Sequence, residues 1–124
     1  MKRTIDSQLD RWVRDSRKAL IVSGARQVGK TYSIRACLER NQCDHLEVNL
    51  IEHPELIPVL DKAMSVDDLI FSLSVAFNYH FTEGKTIIFF DEVQELKDIV
   101  TRVKFWVDDG RFRYILSVPC WGSR

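Results

Sequence analysis

The sequence predicts an α/β fold, a parallel sheet flanked by helices. Two observations carry this expectation. Short continuous apolar runs alternate along the chain with stretches of helical periodicity, the order that produces parallel strands joined by right-handed helical crossovers. The two unusual polar clusters, Ser23-Gly24 and Asp91-Glu92, each fall at the end of a predicted strand. In open parallel sheets the carboxyl ends of the strands are where ligands bind.

Each element has its own signal. Ile5, Leu9, Trp12 and Val13 form one helical stripe, with Arg11, Arg14 and Arg17 elsewhere on the surface. Ala19-Leu20-Ile21-Val22 is a continuous apolar run, the pattern of a strand buried on both faces. Residues 30–39 follow as a helix with Ile34, Cys37 and Leu38 inward. Leu46, Val48 and Leu50 alternate with Glu47 and Asn49, which predicts a second strand. Pro54 and Pro58 punctuate the next segment. Ser65 with Asp68 forms a capping-box pattern that opens a helix carrying Leu69, Ile70, Leu73 and Phe77 on one face. Gly84 marks a turn. Thr86 to Phe90 is the third strand. Ile99, Val103 and Trp106 define a last helix closed by Gly110, and Phe112 to Ser117 is the fourth strand. Trp12, Phe105 and Trp106 are expected in the core rather than on a base-stacking platform.

At 124 residues, 45% of them hydrophobic, the chain supports one domain with a real core. Its 18 basic and 18 acidic residues balance, but unevenly: residues 1–40 hold 10 basic and 4 acidic side chains. That excess either favours a polyanion, nucleotide phosphate included, or decorates a solvated helix face. Cys37, Cys43 and Cys120 form no C-x-x-C pair and no metal pattern with His45, His53 and His80, so reduced thiols and a cytoplasmic location are expected. Met1-Lys2-Arg3 resembles the start of a signal peptide, but Asp6, Gln8, Asp10 and Arg11 interrupt any apolar segment. No apolar run approaches the roughly 20 residues that span a bilayer.

Gly24-Ala25-Arg26-Gln27-Val28-Gly29-Lys30-Thr31 fits the phosphate-loop pattern G-x-x-x-x-G-K-[ST] in full, between a predicted buried strand and a predicted helix. Glycines at the fixed positions permit close backbone approach to a phosphate. Successive N–H groups form an anion-binding nest, backed by the positive end of the following helix. Lys30 supplies a mobile cation for the β- and γ-phosphates, and the Thr31 hydroxyl a ligand for Mg²⁺. Asp91-Glu92, after an apolar strand, completes a Walker B pattern. Asp91 is expected to hold Mg²⁺ through its water shell, and Glu92 to orient and deprotonate an attacking water. The glutamate suits hydrolysis; P-loop kinases of small molecules usually lack it. The guanine-specific N-K-x-D is absent, which favours ATP over GTP.

These motifs, with Phe90-Asp91-Glu92-Val93-Gln94-Glu95-Leu96 and the stretch from Lys104-Phe105 through Asp109-Gly110-Arg111-Phe112-Arg113 to Ile115-Leu116-Ser117, resemble a group of bacterial and archaeal AAA-type ATPases. The resemblance covers most of residues 9–117. It implies a P-loop NTPase core with strand order 5-1-4-3-2, a lid or winged-helix region beyond it, and a C-terminal nuclease-like domain. It implies phosphate and metal binding by Gly29, Lys30 and Thr31, and Walker B roles for Asp91 and Glu92, with ATP and Mg²⁺ as ligands. On this reading residues 1–117 are a partial AAA-type domain, with an N-terminal helix over 1–18 and the P-loop core over 19–117.

After Ser117 the resemblance stops. The family continues with a run of the type S-G-S-L-L-G, whereas this chain reads Val118-Pro119-Cys120-Trp121-Gly122-Ser123-Arg124. One additional G before the codons for Val118 to Ser123 restores Gly-Ser-Leu-Leu-Gly and then a hydrophobic residue. The second position also admits Thr, Ala or Pro. Residues 118–124 are therefore expected to be a frameshifted tail on a truncated gene. No fifth strand, lid or arginine finger is expected in this chain, which puts its own turnover in question more than its nucleotide binding.

Two other functions stay open: a binding-only or non-functional remnant, and a nucleic-acid-associated module using Arg3, Arg11, Arg14, Arg17 and Lys18. The second lacks an aromatic platform and a helix-turn-helix pattern. A protein or nucleic-acid partner, and oligomerisation of the complete protein, are left open; no membrane association is expected.

Overall fold

The computed structural model describes residues 4–15, 19–24, 28–63, 65–93, 96 and 98–119. In chain order the elements are α1 (Thr4–Asp15), β1 (Leu20–Gly24), α2 (Val28–Arg40), β2 (His45–Asn49), α3 (Leu56–Lys62), α4 (Val66–Phe77), β3 (Ile87–Asp91), α5 (Ile99–Asp109) and β4 (Arg113–Pro119). The four strands form one parallel sheet in the order β1-β4-β3-β2. This is the implied 5-1-4-3-2 arrangement for the four strands described. Because all strands run one way, Gly24, Asn49, Asp91 and Pro119 end at the same edge of the sheet.

The period of two sorts the strand residues between two cores. Leu20, Val22, Ile87, Phe89 and Ile115 meet Leu9 and Trp12 of α1 and Ile34, Cys37 and Leu38 of α2 on one face. Leu46, Val48, Ile88, Phe90, Tyr114, Leu116 and Val118 meet the apolar sides of α3, α4 and α5 on the other. β3 is central and all five of its residues are buried, which explains why its run reads as uniformly apolar until Asp91.

Caps set the helix ends. Ser65 Oγ accepts from the Asp68 amide at 3.2 Å and opens α4. Asn78 closes α4 in the left-handed region at φ 50, and Gly110 closes α5 at φ 83. α1 docks through a buried carboxylate. Asp10 accepts from Arg40 Nη2 at 2.7 Å, Asn41 Nδ2 at 3.1 Å and Cys37 Sγ at 3.4 Å. Burial, with the neighbouring Asp10 carboxylate, pushes the Cys37 thiol up to about 12, so it stays protonated and packs as an apolar side chain.

Three expectations from the pattern change. The Ala19–Val22 run is not buried on both faces: Ile21 is 45% exposed, because β1 lies at the sheet edge, beyond the reach of the helices on that side. Phe105 is not core but 69% exposed. The inward stripe of α5 is Ile99, Val103 and Trp106, and its neighbour in sequence turns about 100° away from Trp106. The Pro54–Pro58 segment contains a helix, α3, with Pro58 in its first turn, where a missing N–H has no intrahelical partner to lose. β4 runs on through Val118 and Pro119, which pair in register with Ser23 and Gly24; residues 120–124 lie outside the described residues.

Candidate functional site

The sequence-predicted loop spans the carboxyl end of β1 and the start of α2. Gly24 is the last residue of β1 and pairs with Pro119. Ala25, Arg26 and Gln27 lie outside the described residues. Val28, Gly29 and Lys30 form the first turn of α2, which carries no acidic residue, so no side-chain charge of its own offsets the positive end of this helix. Thr31 follows. Its Oγ1 donates to Asp91 Oδ2 at 3.2 Å, across 60 residues of sequence. The two predicted motifs therefore meet at one hydroxyl and one carboxylate.

Asp91 is 4% exposed at the end of the central strand. In register it is flanked by Asn49 on β2 and Ser117 on β4. Burial pushes its carboxyl above the ordinary aspartate range, and the charges of Glu92 and Glu47 push the same way; the Ser117 and Thr31 hydroxyls oppose them. Ser117 Oγ is itself buried without a hydrogen bond of ordinary geometry, so its help is that of a nearby dipole. A buried carboxylate short of compensation is a place where a cation gains most. Glu92 follows immediately with its backbone left-handed at φ 61. For a residue with a side chain that costs about 1–2 kcal/mol, the kind of local strain found where a side chain must be aimed.

A match to the AAA domain family spans residues 16–119. The chain belongs to the AAA domain family. No individual curated protein matches it. The family is one of ATPase-type, nucleotide-binding domains. In this AAA domain Gly24, Thr31, Asp91 and Glu92 lie at the carboxyl edge of the parallel sheet. Among the described residues no group of three or more His, Cys, Asp or Glu side chains could hold a metal ion. Among the described residues, the Thr31 hydroxyl beside the Asp91 carboxylate is a pair of oxygens of the kind that Mg²⁺ takes while keeping water and phosphate in the rest of its shell. Among the described residues, no helix is long and apolar enough to cross a membrane.

Sequence reasoning did not find three further residues of this edge. Asn49 Oδ1 accepts from the amides of Ile51 at 2.9 Å and Glu52 at 3.1 Å, turning the chain away just beyond β2. Arg35 of α2 grips Glu47 of β2, Nε to Oε1 and Nη2 to Oε2, both at 2.6 Å. The signal for them was the polar half of the β2 alternation. It identifies the strand, but it does not say that a helix covers that face.

Proposed function

We propose that this AAA domain binds Mg-ATP over Gly24–Thr31 and Asp91 and that the complete protein hydrolyses the bound nucleotide, as the bacterial and archaeal ATPases it resembles do. The contact from Thr31 Oγ1 to Asp91 Oδ2 carries the reading, because it brings a phosphate-loop hydroxyl and a strand-end carboxylate close enough to share one ion. The backbone from Gly24 into α2 cradles the phosphates, and Lys30 neutralises them. Thr31 and Asp91 would hold Mg²⁺, which supplies charge neutralisation on the phosphate oxygens when bound. Glu92 orients the attacking water and takes its proton.

Lys30→Ala tests the reading. Titration with ATP and Mg²⁺ is expected to give a dissociation constant at least about tenfold higher than wild type, about 1.4 kcal/mol. Equal affinities would overturn the phosphate-loop assignment. A phosphate-release assay run beside the titration separates a hydrolase from a domain that only binds.

A further inference from the structure

Helix α2 carries both Thr31 and Arg35, four residues and therefore about one turn apart on the same face of the helix. Each reaches a different strand. Thr31 Oγ1 meets Asp91 on β3 at 3.2 Å. Arg35 makes a two-pronged contact to Glu47 on β2, 2.6 Å on each prong. Glu47 pairs in register with Phe89, and Asn49 with Asp91, so by the period of two Glu47 and Asp91 leave the sheet on the same side. The two contacts thus pin one helix to two adjacent strands, one turn apart.

We infer that Arg35 is a positioning residue, clamped on Glu47 so that the Thr31 hydroxyl keeps its direction toward Asp91 and the metal–phosphate site keeps its geometry. This rests on the Mg-ATP reading above. The inner side of α2 packs through the apolar Ile34 and Leu38, and such packing is non-directional. A helix held by it alone can roll. A roll of about 20° moves a side-chain atom some 5 Å from the helix axis by about 2 Å, and Mg²⁺ demands near-octahedral geometry. Toward its far end α2 is tied to Asp10 by Cys37 and Arg40, with Asn41 just beyond the helix, and the Arg35 fork ties the side that faces β2. Arg35 is 54% and Glu47 20% exposed, so the pair adds little to global stability. Its worth lies in direction, which a planar guanidinium fixes and an ammonium does not.

The experiment measures ATP affinity of the 124-residue chain by calorimetry in Mg²⁺ and in EDTA, together with Tm. The variants are Arg35→Lys, which keeps the charge and loses the fork, and the charge-balanced double variant R35A/E47Q. Both are expected to lower the Mg²⁺-dependent gain in affinity about tenfold, with affinity in EDTA and Tm near wild type. An unchanged gain in both variants overturns the proposal. So does an equal loss in Mg²⁺ and EDTA accompanied by a lower Tm, which marks a merely structural pair. A wild-type chain with no Mg²⁺-dependent gain, or a K30A chain that binds as well as wild type, would instead bring down the nucleotide reading and this inference with it.

Discussion

Glu92 separates binding from chemistry. It follows the buried Asp91 with a left-handed backbone, a conformation that carries strain. Glu92→Gln keeps the size and shape of the side chain but cannot accept a proton from water. ATP affinity of this variant is expected within about twofold of wild type, whereas hydrolysis of the bound nucleotide is expected to fall about 10²–10⁴-fold. Turnover at the wild-type rate would remove Glu92 from the role of base. At this scale the site was legible wherever chemistry fixes both residue type and spacing. Thr31 and Asp91 were each named by a short motif, and their contact follows once β1 and β3 are taken as parallel strands of one sheet. Arg35 and Glu47 were not legible. Their pairing depends on α2 lying over the polar face of β2, a tertiary fact with no local signature.

Elements were readable when one periodicity dominated. The apolar run of β3, the inward stripe of α5 and the Ser65 cap of α4 are each written within a dozen residues. α3 was hidden, since Pro58 signals a break unless it happens to occupy the first turn, and Phe105 was misread because aromatic character says nothing about which side of a helix it occupies. The amino edge of the sheet shows another tie that no local pattern announces. Asp44, just before β2, accepts hydrogen bonds from Thr86 Oγ1 at 2.7 Å and from the Tyr79 hydroxyl, joining the starts of β2 and β3 to the segment after α4. Burial works to raise its carboxyl, but the Thr86 and Tyr79 hydroxyls, with His45 and His80 nearby, outweigh it and hold it below the ordinary 3.8. A carboxyl depressed on folding stabilises the protein above its unfolded value and ceases to do so as pH falls through its folded value. Asp44→Asn is therefore expected to cost about 1 kcal/mol or less at neutral pH, since Asp44 remains exposed to solvent. The melting curves of variant and wild type are expected to converge below about pH 4. A gap between them that stays constant into acid would show that the loss is one of shape rather than charge.

At the scale of the whole molecule the two faces of the sheet are unequally covered at β1. β1 pairs with β4 on one side, and among the described residues its outer edge has no paired strand. Leu20 and Val22 turn toward α1 and α2, but Ile21, on the opposite face, stays 45% exposed. An edge strand that combines unpaired backbone N–H and C=O groups with an exposed β-branched side chain is a template for pairing with another chain. Natural edges are commonly blunted by charge, and in β1 the sequence Leu20-Ile21-Val22-Ser23-Gly24 has none. The isolated 124-residue chain is accordingly expected to self-associate as concentration rises, and a lysine at Ile21 is expected to suppress this. Ile21→Lys places its charge on the exposed face, opposite the partly buried Leu20 and the buried Val22, so stability should change by no more than about 0.5 kcal/mol. Light scattering or sedimentation velocity of wild type and variant over a concentration series provides the measurement. A wild-type chain that stays monomeric throughout, or a variant that associates as strongly as wild type, would show that the β1 edge is not where copies meet.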